Sequence, residues 1–197
     1  MAADLTSPDA VRDLAGKIEA REERLHILVN NAGRTWGAPL ESFPDKAWPE
    51  VMAVNVQGPF TLTRELLPVL KAAASAADPA RVLNIGSLAG AAVERLSAFS
   101  YAASKAALHH LSRELAAELA PHHITVNTIA PGYFPTRMTA HIRQSESEER
   151  QLLSRVPLGR FGRLEDIAGA CIFLASAAGS YITGSEIFVD GGKFGCR

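Results

Sequence analysis

Cysteine is scarce in this sequence: two in 197 residues, Cys171 inside an apolar run and Cys196 beside the C-terminus. So few thiols exclude a disulfide framework and point to a reducing compartment. A surplus of either charge is missing as well. Lys plus Arg number 20 against 21 for Asp plus Glu, a net charge of -1. That balance supplies neither the basic footprint of a nucleic-acid-binding protein nor an acidic tail. No run approaches the roughly 18 uninterrupted apolar residues of a helical membrane span. The opening residues, MAADLTSPDAVRDL, have no apolar centre of signal-peptide type, so cytoplasm is the expected location. Grouped metal ligands are absent too. His109-His110 and His122-His123 are adjacent pairs whose side chains diverge, and no Cys/His/carboxylate set has zinc spacing.

What is present is an alternation of helix and strand. With 47% hydrophobic and 21% charged residues, the composition fits one compact domain with a sizeable core. Residues 8–24 read as an amphipathic helix, with Ser7 as N-cap and Pro8 at the first helical position. LHILVNN at 25–31 reads as a short buried strand ended by Gly33. A helix over 48–73 follows, with local irregularities at Pro59 and Pro68. RVLNIGS at 81–87 is the second strand, and 98–120 is the strongest helix signal, rich in Ala and Leu and closed by Pro121. ITVNTIA at 124–130 is a third strand, LEDIAGACIFLAS at 164–176 a helix, and EIFVDGG at 186–192 a last strand and turn. Strands separated by helices of this length imply a parallel sheet with helices on both faces. The segment 133–163, with a short helix around 138–154, reads as a mobile excursion over the sheet edge above Tyr101. Its arginines, Arg137, Arg143, Arg155 and Arg160, suit either an acidic carrier partner or plain solubility.

Few residues invite chemistry. Tyr101 and Lys105 are four apart on one helix and share a face. A free phenol has a pKa of about 10, and a neighbouring ammonium favours the phenolate. Lowering that value by about three units would need roughly 4 kcal/mol of differential interaction. The same spacing also arises on ordinary amphipathic helices. Ser87 closes a strand at the sheet edge where ligands bind, as a donor to an oxyanion or as a simple turn cap. Asn30, Asn31 and Gly33 follow a strand, either as a turn or as a place where backbone approaches a ligand. Asn55, in the apolar setting VMAVNVQGPF, must find partners if buried, across a helix irregularity or through water. Pro131-Gly132 stop a strand, with Thr136 close behind.

Taken in order and at these separations, NNAG at 30–33, VNVQGPF around Asn55, Ser87, YAASK at 101–105, PGYFPT at 131–136 and VDGG at 189–192 resemble the short-chain dehydrogenase/reductase family over essentially the whole chain. The resemblance implies an NAD(P)-dependent oxidoreductase acting on a CH–OH/C=O group. Its fold would be α/β, a Rossmann-like parallel sheet with helices on both faces. In these roles Tyr101 is the general acid/base. Lys105 lowers its pKa and binds the nicotinamide ribose, Ser87 steadies the substrate oxygen, and Asn55 positions a water. The cofactor would touch Asp4 near the adenine, Asn30, Asn31, Ala32 and Gly33 beside the adenosine, and Tyr101 and Lys105 at the ribose. Pro131, Gly132 and Thr136 would lie at the nicotinamide. The Ser-to-Tyr interval of fourteen residues is at the long end for the family.

The departure is at the front. No G-x-x-x-G-x-G segment occurs before Asn30, so the first strands and the Gly-rich cofactor turn of the family pattern are not found. The residue that would choose NAD or NADP is also missing. Residues 1–197 are therefore expected to form a single partial domain: a fragment, an alternative product, or a reading begun at an internal Met. The strand at 25–29 would then be an apolar, unpaired edge. DPARVLNIGSLAG, SKAALHHLSRELAAEL and APGYFPTRMTAHI are similar to NADPH-dependent reductases of 3-oxoacyl thioesters, those of rhamnolipid biosynthesis above all. A sugar, polyol or xenobiotic-carbonyl dehydrogenase remains open, as does an inactive chain paired with a longer relative. Family members commonly assemble as homodimers or homotetramers through the helices at 48–73 and 98–120.

Overall fold

The computed structural model describes residues 1–136 and 145–196. Four strands, β1 (Ile27–Asn30), β2 (Ala80–Ile85), β3 (Ile124–Pro131) and β4 (Glu186–Val189), pair in the order β1-β2-β3-β4, all parallel. Their C-terminal ends therefore share one edge, where parallel α/β sheets bind ligands. The helices are α1 (Pro8–Glu19), α2 (Ala47–Met52), α3 (Gly58–Glu65), α4 (Leu67–Ala73), α5 (Phe99–Leu119), α6 (Glu146–Leu153) and α7 (Leu164–Ala175). Among the described residues, no helix is long and apolar enough to cross a membrane.

Side chains alternate between the two faces of each strand. Leu28, Val82, Ile124 and Val126 pack with α1, α3, α4 and α5 through Val11, Leu62, Leu66, Leu70 and Leu119. The opposite face, with Leu83 and Ile129, packs on Leu174 of α7. A chain of amides crosses the first layer: Asn30 Nδ2 donates to Asn84 Oδ1 at 2.8 Å, and Asn84 Nδ2 donates to Ser112 Oγ at 2.9 Å. These buried groups satisfy one another, as a low-dielectric interior requires.

Several expectations hold and others shift. Ser7 caps α1 by accepting from Ala10 N, with Pro8 at the first position, but the helix stops at Glu19 instead of residue 24. The helix expected over 48–73 is broken into three. A π-helical turn at Ala53–Gln57 joins α2 to α3, and Leu66 leaves helical geometry before α4. Pro59 and Pro68 sit near helix starts, where a missing N–H costs nothing. Of the helix expected around 138–154, α6 covers Glu146–Leu153, and residues 137–144 lie outside the described residues, Arg137 and Arg143 among them.

The strand at 27–30 is not fully buried. Leu28 is covered, yet Ile27 and Val29 on the other face are 42% and 45% exposed, because α7 reaches β2, β3 and β4 without covering β1. β1 also has no strand on its outer side among the described residues. Such an apolar edge invites pairing with another chain. Val29→Lys should therefore reduce concentration-dependent association of this chain in sedimentation velocity. Its unfolding free energy should change by no more than about 0.5 kcal/mol, the usual range for a surface change.

Candidate active site

The edge formed by the ends of β1, β2 and β3 gathers the singled-out residues. Tyr101 and Lys105 lie on α5 and are both buried. Lys105 Nζ donates to the Ile85 carbonyl at 2.7 Å and lies 5.8 Å from the centre of the Tyr101 ring. Ser87, two residues past the end of β2, caps a short turn by accepting from Ala89 N, and its side chain acts on the Tyr101 phenol. Asn55 sits in the π turn, the helix irregularity its burial demands. Its Nδ2 donates to the Arg34 carbonyl and to Ser104 Oγ, and its Oδ1 accepts from Arg34 N at 2.8 Å. Ser104, which pattern reading passed over, in turn donates to the Tyr101 carbonyl at 2.7 Å.

The segment after β1 closes on the same point. A β-carbon at Gly33 would fall 3.7 Å from Lys105 Nζ and 3.8 Å from Asn55 Oδ1. Asn31, Ala32 and Gly33 are exposed there, whereas the Asn30 side chain is committed to the buried amide chain and can offer a ligand only its backbone. Gly132 follows β3 with its N–H on the Val189 carbonyl; a β-carbon here would come within 2.7 Å of Asp190 Cα, so glycine alone lets the two strand ends meet. Thr136 is exposed beyond it. Asp4 is exposed and accepts from the Thr6 N–H and hydroxyl, which hold its pKa low, with a smaller contribution from Arg34.

The electrostatics differ from the expected pattern in one respect. Burial raises the Tyr101 pKa above its ordinary 10, with the Ser87 hydrogen bond acting the other way. Lys105 is desolvated as well, and its pKa is pushed down to about 8, so it still carries its proton at neutral pH. The phenol is thus a proton donor at neutral pH. Of the excursion's arginines, Arg160 is bound to Asp166 through both guanidinium ends, at 2.7 and 3.3 Å, and Arg155 is exposed.

A family profile described as enoyl-(acyl carrier protein) reductase matches residues 1–193. The rhamnolipids biosynthesis 3-oxoacyl-(acyl-carrier-protein) reductase of Pseudomonas aeruginosa is 50% identical over 190 residues, 96% of this chain and 74% of that protein. The chain belongs to the short-chain dehydrogenase/reductase family. Members of this kind are NAD(P)-dependent oxidoreductases acting on CH–OH/C=O groups. A galactitol 2-dehydrogenase (L-tagatose-forming) of Cereibacter sphaeroides is 41% identical over 191 residues, 96% of this chain and 73% of the relative. Among solved structures, the Pseudomonas aeruginosa RhlG/NADP active-site complex superimposes with a TM-score of 0.94 at 49% identity, over 98% of this chain and 75% of that one. A gluconate 5-dehydrogenase from Burkholderia cenocepacia, in complex with NADP and tartrate, gives 0.88 at 34% identity, over 96% and 72%. The chain thus spans about three quarters of the length of these relatives.

Lys105 sets a measurable pH dependence. Below pH 8 the ammonium is charged in both folded and unfolded chains, and its burial penalty is present in full. Between about 8 and 10.5 the unfolded chain keeps the proton that the folded chain has released, so stability rises with pH across that window. The shift corresponds to something on the order of 3 kcal/mol. Lys105→Met, which retains the stem without the charge, should raise the urea midpoint at neutral pH, less whatever its bond to Ile85 contributes. That advantage should shrink from pH 8 upward.

Proposed function

We propose that this chain carries the catalytic part of an NADPH-dependent reductase of 3-oxoacyl thioesters. The observation that supports catalysis most directly is the convergence of Tyr101, Ser87 and Lys105 at one sheet edge, with the phenol buried and protonated. The fit to a nicotinamide cofactor rests on Gly33. Its missing side chain leaves backbone open beside Lys105 Nζ and Asn55 Oδ1, and Lys105 makes one hydrogen bond with its three donors, to Ile85. Asn31–Gly33, Tyr101, Lys105, Pro131, Gly132 and Thr136 would hold the cofactor, which when bound supplies the hydride.

The rest is done by this chain's own groups. The Ser87 hydroxyl hydrogen-bonds the substrate carbonyl oxygen and keeps it against Tyr101. As the C=O π bond opens, Tyr101 gives its phenolic proton to that oxygen, and the 3-hydroxy product forms. The Lys105 ammonium stabilises the phenolate left behind until it is reprotonated. Asn55 fixes the α5 side of the site by tying Ser104 to the Arg34 backbone.

The acyl reading is favoured by sequence identity and by a cavity of about 350 Å³ at the ends of β3 and β4. Tyr133, Phe134, Val156, Leu158 and Phe188 give it an apolar side that an alkyl chain could use, while Arg160, Asp166 and Asp190 also line it. The 41% identity to a galactitol dehydrogenase supports the second reading, a polyol or sugar-acid dehydrogenase. A panel of 3-oxoacyl thioesters, polyols and keto-sugar acids, assayed with NADPH and NADH on the natural protein containing these residues, separates the two. Preference for a polyol would overturn the acyl reading. The reading extends to a cytoplasmic homodimer or homotetramer, supported by exposed apolar Trp48 and Phe60 around α2 and α3.

Tyr101→Phe should lower kcat by about 10²- to 10⁴-fold, the usual worth of a positioned proton donor, with the cofactor KM nearly unchanged. A rise in cofactor KM with kcat unchanged would confine Tyr101 to binding and remove it from the chemical step. The isolated 197-residue polypeptide should bind NADPH poorly, since pyrophosphate recognition in this fold uses a Gly-rich turn at a helix N-terminus and its residues contain no such turn before Asn30. Calorimetric titration checks this, and low-micromolar affinity for NADPH or NADH would contradict it.

A further inference from the structure

His109 lies on α5 one turn beyond Lys105 and two beyond Tyr101, so the three side chains form a single stripe. Its ring is 3% exposed and is held between two polar partners. The Ser87 backbone N–H donates to Nε2 at 3.2 Å. On the other side, Nδ1 is 3.1 Å from Glu186 Oε2 on β4, and the second oxygen of Glu186 is paired with Arg113. An imidazole that accepts at Nε2 and donates at Nδ1 is the neutral Nδ1–H tautomer. The ionisable groups facing it are Glu186 from β4 and Lys105 and Arg113 from α5. Burial, helped by the two cations, keeps the ring neutral against the pull of Glu186.

The space for this ring is made by glycine. A β-carbon at Gly86 would fall 2.3 Å from His109 Nε2, and one at Gly90 would fall 3.0 Å from its Cε1. Gly86 immediately precedes Ser87, so the ring lies directly against the backbone that presents the serine. An apolar residue of similar size would fill the slot, but it would leave the Ser87 N–H without its acceptor.

We propose that His109 is a positioning residue for the catalytic serine. Locked in one tautomer by Glu186 and Arg113, it fixes the Ser87 backbone and thereby holds the Ser87 hydroxyl against Tyr101. This rests on the reading of Ser87 and Tyr101 as catalytic. The arrangement ties the first residue of β4 to the turn after β2, so the ring braces the serine's backbone against the neighbouring part of the sheet.

The test has a spectroscopic arm and a kinetic arm. In long-range proton–nitrogen spectra of the isotope-labelled full chain at about neutral pH, His109 should show a protonated Nδ1 and a bare Nε2, with a protected Ser87 amide. His109→Gln, which can present an oxygen where Nε2 stood, should keep most of that protection, whereas His109→Leu should lose it. In the natural protein, His109→Leu should reduce kcat by about 10- to 100-fold, the scale of a sub-ångström to 1 Å misplacement. The cofactor KM should change little, and His109→Gln should recover most of the rate. If His109→Leu does not fold, Glu186→Met, which removes the acceptor at Nδ1, decides. It should loosen the ring, weaken Ser87 amide protection and lower kcat, and unchanged protection and rate would overturn the proposal. An Nε2–H tautomer in the unmodified chain, or full Ser87 protection and rate in His109→Leu, would overturn it equally. The spectra need no substrate. Absence of thioester reduction therefore counts against the substrate reading, while the tautomer and the Ser87 amide still decide this one.

Discussion

The site depends on one contact, the stripe of α5 laid along the end of β2. Tyr101 is acted on by the Ser87 side chain, Lys105 bonds the Ile85 carbonyl, and His109 accepts from the Ser87 N–H. Three successive helical turns thus all converge on residues 85–87, and the glycine between Ile85 and Ser87 is what lets helix and strand end come so close. A rotation of α5 would break all three contacts together. Rigidity at the reacting groups therefore comes from a helix–strand match and not from any single strong bond.

That grip is expensive in charge. A lysine and a tyrosine are both withdrawn from water within one helical turn, and each responds in the direction that removes charge: the lysine pKa falls and the tyrosine pKa rises. The structure is least comfortable with the ionised states that catalysis passes through. The penalty is met by fixed dipoles, the Ile85 carbonyl for the ammonium and the Ser87 hydroxyl for the phenol, which are in place before any substrate arrives. The surrounding hydrophobic layers, with Leu83, Ile129 and Leu174 on one face and Leu66, Leu70 and Val82 on the other, provide the stability against which this strain is held.

Much of this was legible in the residue order. The strands at 81–87 and 124–130 and the helix at 98–120 announce themselves through unbroken apolar runs and Ala/Leu content, and all three occur within two residues of their expected limits. Ser87, Asn55, Tyr101 and Lys105 arrive at one place because each sits at a strand end or on the helix face turned toward it. Less legible was the stretch from 47 to 73, where a π turn lets Asn55 reach back to Arg34. Nothing in periodicity marks such a turn except a polar amide in an apolar setting. The exposure of Ile27 and Val29 was hidden for a different reason: strand composition reports what a strand prefers, and not which neighbours are present to cover it. His109 looked like half of an ordinary histidine pair. Its position eight residues after Tyr101, opposite Gly86, was the available signal, and it becomes meaningful only when the distance between helix and strand end is known.

The chemistry-bearing residues and the largest described apolar lining occupy separate parts of the edge. Tyr101, Ser87, Lys105 and Asn55 are held by β2, α5 and the π turn, and none of them lines the cavity at the ends of β3 and β4. The cavity wall comes from Tyr133 and Phe134 after β3, Val156, Leu158 and Arg160 after α6, Asp166 on α7, and Phe188 and Asp190 on and after β4. These are segments that can change without disturbing the α5 stripe. Proteins bearing such different names as a 3-oxoacyl-(acyl-carrier-protein) reductase and a galactitol 2-dehydrogenase can therefore match this chain at 50% and 41% identity over nearly its whole length. The reaction, moving a hydride and a proton across a C–O bond, asks the same of the helix–strand grip in each case. Only the surface that receives the rest of the substrate must differ.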